Sequence, residues 1–177
     1  MSSAFPDAHM RVVGVDPGTR HCGWGVVERR GTRLCHLAHG VIDTDVKTSI
    51  AARLVEIERG LVEVVAEHSP DIASVEALFF AKDAQAAAKL GHARGVVLLV
   101  FARAGLEVHE YAPALVKRAV AGSGRADKPQ VAQMIRVILG LPAAPRADAA
   151  DALALAVTEL QRVGPLQYGN SPARRTS

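Results

Sequence analysis

Four acidic residues beside apolar segments are the side chains of this sequence best suited to chemistry. They are Asp16 in VVGVDPGTR, Glu76 in IASVEALFF, and Asp148 and Asp151 in RADAADALALA. An ionised carboxylate that loses water next to a buried segment needs a compensating partner. Carboxylate oxygens favour Mg²⁺ or Mn²⁺ over zinc. The set therefore predicts a divalent-metal site that is assembled by folding and that hydrolyses phosphodiesters.

Each carboxylate also has a purely structural explanation. Asp16 precedes Pro17-Gly18 and could start that turn through its side chain, and Glu76 could belong to a salt bridge. Asp148 and Asp151 lie three residues apart on one face of a predicted helix, where aspartate also caps the helix or complements its dipole. The metal interpretation depends on all four lying together.

The elements that must position these residues alternate between the strand and helix periods. Short β-branched runs bounded by turn residues predict strands at 11–15, 22–29, 32–42, 72–76 and 106–111. Apolar spacing of three and four residues predicts helices from Ser49 to about 69, from Asp83 to Gly105, and at about 112–121, 128–139 and 148–162. We expect one α/β domain over residues 10–162, with a mixed five-stranded sheet flanked by helices on both faces. Residues 1–9 are predicted to be a flexible extension and residues 163–177 a disordered basic tail.

Asp16 and Glu76 each end a predicted strand, so they reach the carboxyl edge of the sheet, where α/β proteins build sites. If the two strands are neighbours, the two carboxylates face each other. Without a cation they would repel, and one of them would take up a proton.

The charge of the chain is unevenly distributed. Residues 112–146 contain six basic residues and one acidic residue, a net charge of +5, although the whole chain carries only +3. Residues 47–71 carry a net charge of −2. This polarity predicts a face that binds a polyanion; a solvated charged face is the alternative.

The remaining composition is typical of a cytoplasmic protein. Cys22 and Cys35 suggest neither a disulfide framework nor a zinc site. The first residues show no signal-peptide pattern, and the longest apolar stretch, residues 96–102, is too short to span a membrane.

Four segments together resemble the RuvC family of bacterial Holliday junction resolvases. They lie between about Arg11 and Leu160 and read VVGVDPGTRHCGWGVV, VEALFFAKDAQAAAKLGHARG, LVKRAVAGSGRADKPQV and ADAADALALA. The resemblance implies a ribonuclease H-like fold and a homodimer that cuts two strands of a four-way DNA junction at symmetric positions. It places the metal-binding and catalytic carboxylates at Asp16, Glu76, Asp148 and Asp151. It also implies two Mg²⁺ or Mn²⁺ ions per site, products with 5′-phosphates, and a branch-migration motor of RuvA and RuvB as partner.

The same resemblance implies a DNA-binding surface. Phe79 would act as a wedge at the junction crossover, as exposed apolar side chains do in proteins that bend DNA, and Lys117 and Lys128 would lie near the scissile phosphate. Phe80, Lys82 and Arg125 are further expected contacts. From the sequence alone the two phenylalanines could equally belong to the core.

The predicted helix from Asp83 contains Gly91 and Gly95, which are costly in a helix unless something packs closely against them. The resemblance implies that this helix forms the dimer. Three alternatives stay open at this point: a YqgF-type nuclease, which would leave VEALFFAKDAQ unexplained; a sugar-kinase or actin-like ATPase, for which 177 residues are too few; and a non-catalytic junction-binding scaffold.

Overall fold

The computed structural model describes residues 9–77 and 84–163. These residues form five strands and five helices in the order β1, β2, β3, α1, β4, α2, β5, α3, α4, α5. The strands are β1 His9–Asp16, β2 His21–Arg30, β3 Arg33–Asp43, β4 Ile72–Glu76 and β5 Glu107–Tyr111. The helices are α1 Ile50–His68, α2 Ala84–Arg103, α3 Pro113–Ala121, α4 Lys128–Leu139 and α5 Ala147–Val163.

The strands form one mixed sheet in the order β3-β2-β1-β4-β5. β1 pairs antiparallel with β2, and β2 pairs antiparallel with β3. β4 lies parallel to β1 on one side and to β5 on the other. This arrangement confirms the predicted mixed five-stranded sheet, and it makes β1 and β4 neighbours that end at the same edge.

Apolar side chains on alternate strand positions supply two cores, one on each face of the sheet. Val12 contributes to a core formed with α3, α4 and α5, whereas the adjacent Val13 contributes to a core formed with α1 and α2. Leu153 and Phe101 are fully buried large side chains of the two cores. Helices therefore cover both faces, as predicted.

Glycines let α5 lie directly against the sheet. A Cβ atom on Gly14 would lie 2.0 Å from the Ala152 carbonyl oxygen, and one on Gly23 would lie 2.0 Å from the Asp148 carbonyl oxygen. No side chain larger than hydrogen fits at such a distance. Gly14 and Gly23 therefore fix how closely the first turns of α5 approach the ends of β1 and β2.

The helix boundaries follow ordinary capping chemistry. Ser49 caps α1 by accepting a hydrogen bond from the Ala52 amide. Asp127 and Gln130 form a capping box at α4, which orients its first residue, Lys128. None of the helices in the described part of the chain combines the length and apolar character needed to cross a membrane. Cys22 and Cys35 are free.

Candidate active site

Asp16 and Glu76 lie side by side at the carboxyl edge of the sheet. The parallel register pairs Val15 with Val75, so the next residue of each strand is one of the two carboxylates. Asp16 also pairs across the sheet with Gly23, the residue that lies against the Asp148 carbonyl. Two strand ends and the start of α5 therefore meet at one place.

Three of the four carboxylates line a single cavity of about 200 Å³, formed by Asp16, Glu76 and Asp151. Lys117 of α3 and Lys128 of α4 line it as well, and Val116, Val131 and Leu155 are among its apolar lining residues. Asp148 is not among the lining residues, but its charge acts on Asp16. The folded chain thus brings three predicted ligands into one cavity and places the fourth at its margin.

The negative charge of this cluster is under-compensated. Burial, followed by the neighbouring charges of Asp151, Glu76 and Asp148, raises the pKa of Asp16 to about 7, although Lys128 acts in the opposite direction. The pKa of Glu76 is also raised, first by burial and then by Asp151. A cation placed beside such a carboxyl group favours its ionised form.

Lysine side chains supply part of that positive charge. Lys128 Nζ lies 3.0 Å from Asp151 Oδ2, and this hydrogen bond raises the pKa of the lysine. Lys117 lines the cavity and lowers the pKa of Glu76 by its charge.

The donor set fits a hard divalent cation. The titratable ligands of the cavity are all carboxylates, the oxygen donors that Mg²⁺ and Mn²⁺ prefer. Within residues 9–77 and 84–163, however, no three His, Cys, Asp or Glu side chains are arranged closely enough to form a ready coordination shell. Asp151 contacts Lys128 through Oδ2.

Two arginines that the sequence analysis did not identify connect the elements around this site. Arg94 of α2 is buried; it donates to the backbone carbonyl of Glu76 and lies 2.7 Å from Glu110 Oε1. Arg146, two residues before Asp148, donates two hydrogen bonds to Asp43 at the end of β3, at 2.7 and 3.0 Å. These bonds, together with the hydrogen bond between Asp43 and His21, lower the pKa of Asp43 to about 2. The only sequence signal for Arg94 was a charged residue within an apolar helical pattern.

The predicted DNA contacts divide into three groups. Lys117 and Lys128 lie in the carboxylate cavity. Arg125 lies outside it, in a separate concavity between α3 and α4 with Ser123, Gln130 and Met134. Phe79, Phe80 and Lys82 lie outside the described residues.

Comparison with known proteins gives the same family at the level of sequence and of structure. The profile of the family described as "Crossover junction endodeoxyribonuclease RuvC" matches residues 12–159. A protein of that name from Sorangium cellulosum is 63% identical over 155 residues, which cover 88% of this chain and 87% of the relative. Another from Azorhizobium caulinodans is 51% identical over 156 residues, covering 88% and 92%.

Among solved structures, Thermus thermophilus RuvC in complex with a Holliday junction substrate superposes with a TM-score of 0.81 at 40% identity. The match covers 88% of this chain and 97% of that one. The expected ribonuclease H-like fold is thereby confirmed. The chain belongs to the RuvC family of crossover junction endodeoxyribonucleases.

Proposed function

We propose that this chain resolves four-way (Holliday) DNA junctions and that hydrolysis takes place at the carboxylate cavity. The observation that carries the proposal is the convergence of Asp16, Glu76 and Asp151 with two lysines, in a fold that matches a RuvC bound to a Holliday junction. Members of this family depend on divalent metal ions. The alternative, a non-catalytic scaffold that only binds junctions, does not explain why carboxylates cluster here with too little positive charge to balance them.

Each site would hold two Mg²⁺ or Mn²⁺ ions. Asp16, Glu76, Asp148 and Asp151 would be the residues that hold them. Bound divalent ions supply activation of the attacking water and neutralisation of the charge that develops on the leaving 3′ oxygen. Cleavage on that side of the phosphate leaves a 5′-phosphate on the product.

The residues of the chain have complementary tasks. Asp16 and Glu76 are held rigidly because each follows a buried strand residue, Val15 or Val75. Lys117 and Lys128 place two ammonium groups beside the carboxylates, where they attract the DNA phosphate and limit repulsion between it and the acidic cluster. Arg125, and Phe79, Phe80 and Lys82 from outside the described residues, complete the DNA contacts that we propose.

Symmetric cutting requires two sites, and we propose that a homodimer formed through α2 supplies them. Gly91, Gly95 and Leu99 follow one another at four-residue spacing and are all exposed. A Cβ atom on either glycine would meet open space, so this face allows close approach of a second helix. Two-fold symmetry would place one copy of the face against the other. The partnership with RuvA and RuvB rests on the family resemblance alone.

The test is a cleavage assay on a synthetic four-way junction and on a linear duplex of the same sequence, with Mg²⁺ or Mn²⁺. The wild-type chain should cut the junction in symmetric pairs and leave the duplex intact. Asp16→Asn should reduce cutting to background while retaining junction binding, because a neutral amide cannot balance bound cations.

Asp71→Asn is the matched control. Asp71 is exposed at the opposite end of the sheet, and an asparagine there can still accept the hydrogen bond from the Arg11 amide. This variant should cut at the wild-type rate. Full cutting by Asp16→Asn would contradict the assignment of the site, and equal cutting of the linear duplex would contradict junction selectivity.

A further inference from the structure

A second cavity lies beside the turn that follows Asp16, on the α1–α2 side of the sheet. We call it the basic cavity. It has a volume of about 470 Å³, and its polar lining includes Arg20, Arg53, Lys89 and His92. No acidic residue is among its lining residues within the described chain. Its position links it to the active site, because Arg20 is four residues beyond Asp16 and therefore within about 14 Å of it along the chain.

The four basic groups are not equivalent. Arg53 is committed to the fold, since it donates to the Thr19 carbonyl and to Thr44 Oγ1, and so ties the turn after β1 to the loop before α1. Arg20 and Lys89 are exposed, and neither takes part in an ion pair with any residue of the described ranges. Arg20 and Lys89, which have no ion-pair partner in the described ranges, therefore line a cavity whose wall Arg53 stabilises.

The cavity also has the electrostatic and apolar features of a backbone-binding site. Ile50, the first residue of α1, lines it, and the first turn of α1 contains no acidic residue, so the positive end of the helix dipole is uncompensated there. Val46 and Ile50 are 51% and 38% exposed. An anion with an adjoining apolar group, such as a phosphate with its sugar, satisfies both features.

We propose that the basic cavity binds a backbone phosphate of the DNA strand that enters the active site, with Arg20 and Lys89 as the contacting residues. The proposal rests on the proposed function and deepens it. Lys117, Arg125 and Lys128 approach the cut from the α3–α4 side of the sheet, whereas Arg20 and Lys89 approach it from the α1–α2 side. One strand of DNA carries a phosphate about every 3.4 Å along its axis, so a strand whose scissile phosphate lies at Asp16 has neighbouring phosphates within reach of Arg20. The strand is then held on both sides of the bond that is cut.

The test is the salt dependence of junction binding by the full chain, measured by fluorescence anisotropy without divalent metal on a labelled synthetic four-way junction. The double variant Arg20→Gln/Lys89→Gln removes both free cations. We expect weaker binding and a log–log slope against salt that is smaller by about 0.9 for each phosphate that the variant no longer neutralises. The double variant Arg33→Gln/Arg59→Gln removes the same charge from exposed positions on the β2–β3 side and on the third turn of α1, and it should keep the wild-type slope.

The outcomes separate this proposal from the proposed function. A wild-type chain that neither binds nor cuts the junction contradicts the proposed function itself. If the wild-type chain cuts the junction but both double variants show its salt slope, the basic cavity does not bind DNA. A slope that falls equally in both double variants reflects net charge alone and also overturns the proposal. Sedimentation of each variant completes the test, because loss of the dimer with an unchanged slope would identify the cavity as part of a subunit interface instead.

Discussion

Asp16 is the residue on which the chemistry of the cavity most depends, because burial and three other carboxylates act on it together. Its pKa of about 7 compares with an ordinary value of 3.8. The folded metal-free chain thus holds a proton up to about neutral pH that the unfolded chain loses near pH 4. The contribution of Asp16 to the free energy of unfolding is therefore most favourable below about pH 4 and becomes less favourable as the pH rises to about 7.

Asp16→Asn should therefore stabilise the metal-free protein at about pH 8. One pKa unit corresponds to about 1.4 kcal/mol, so the variant should gain a few kcal/mol at this pH and nothing near pH 4. The measurement is thermal unfolding in a chelator over this pH range, where each kcal/mol shifts the midpoint by roughly 2–4 °C for a domain of this size. Added Mg²⁺ should raise the midpoint of the wild-type chain and not that of the variant. A variant that is less stable than wild type at pH 8 would contradict this account of the charge cluster.

At the residue scale, the clustering of Asp16 and Glu76 could be predicted, and the residues that support them could not. Asp16 and Glu76 were recognisable because each ends an apolar run, a property of a short segment. Arg94 was not recognisable as a support, because its partners, Glu76 and Glu110, belong to two different strands. Only the order of strands in the sheet brings those partners together, and no local pattern encodes that order.

At the scale of elements, α5 packs directly against the sheet because the strand residues beneath it are glycines. Gly14 and Gly23 leave room for the helix backbone that carries Asp148 and Asp151. The helix that provides half of the predicted ligands is therefore seated by main-chain contacts with β1 and β2. Its distance from the sheet is sensitive to a single methyl group.

Gly14→Ala should displace α5 from the sheet, because its Cβ would lie 2.0 Å from the Ala152 carbonyl oxygen. We expect a loss of about 1–3 kcal/mol in the free energy of unfolding together with a larger relative loss of junction cutting. Urea denaturation and the cleavage assay measure the two effects. Gly31→Asn is the control: Gly31 is in a left-handed conformation with open space around it, and asparagine tolerates that conformation. Unchanged cutting by Gly14→Ala would show that α5 has more freedom than this packing allows.

Arg94 connects a second element to the site, since it reaches from α2 to the end of β4. Arg94→Gln should weaken the hold on the Glu76 backbone, with a decrease of roughly 10–100-fold in metal affinity or activity, as for other residues that orient metal ligands. The Mg²⁺ concentration needed for half-maximal cutting and the binding of Mn²⁺ by the DNA-free protein measure this effect. Arg94→Lys keeps the positive charge and should retain part of the metal affinity and activity that Arg94→Gln loses.

The matched control on the same helix is Arg103→Gln, which removes an exposed ion pair with Glu58. Exposed pairs contribute about 1 kcal/mol or less, so this variant should bind metal normally. Equal effects of the two arginine substitutions would argue against a positioning role for Arg94.

Most elements could be predicted from the sequence because their boundaries are local. Glycine or proline follows the ends of β1, β2 and β5, and apolar periodicity identifies α1 and α4. The irregular register between Val26 and Val27, where β2 pairs with β3, had no such signal, because pairing register depends on both strands at once. The strand order β3-β2-β1-β4-β5 likewise emerges only from the packing of the two cores.

At the scale of the whole molecule, the exposed α2 face of Gly91, Gly95 and Leu99 is where we propose that two copies form a homodimer. Leu99→Glu should convert the dimer into a monomer at micromolar concentration, because it places a charge in the centre of a close helix contact. Sedimentation velocity measures the mass, and a supercoiled plasmid that extrudes a cruciform separates paired cuts from single nicks. We expect paired cutting to disappear. Val62→Glu, at an exposed apolar position of α1, is the control and should remain dimeric. A wild-type chain that sediments as a monomer would contradict assembly through α2.

The seating of α5 on Gly14 and Gly23 also has a consequence for biosynthesis. A ribosome completes all five strands before it makes α5, so until then the nascent chain carries only Asp16 and Glu76 of the four carboxylates. The second pair of carboxylates is made with α5 and is positioned only when that helix packs against Gly14 and Gly23. An unfinished copy therefore lacks two of the four carboxylates to which we assign the cutting of DNA, and on that assignment it would not cut.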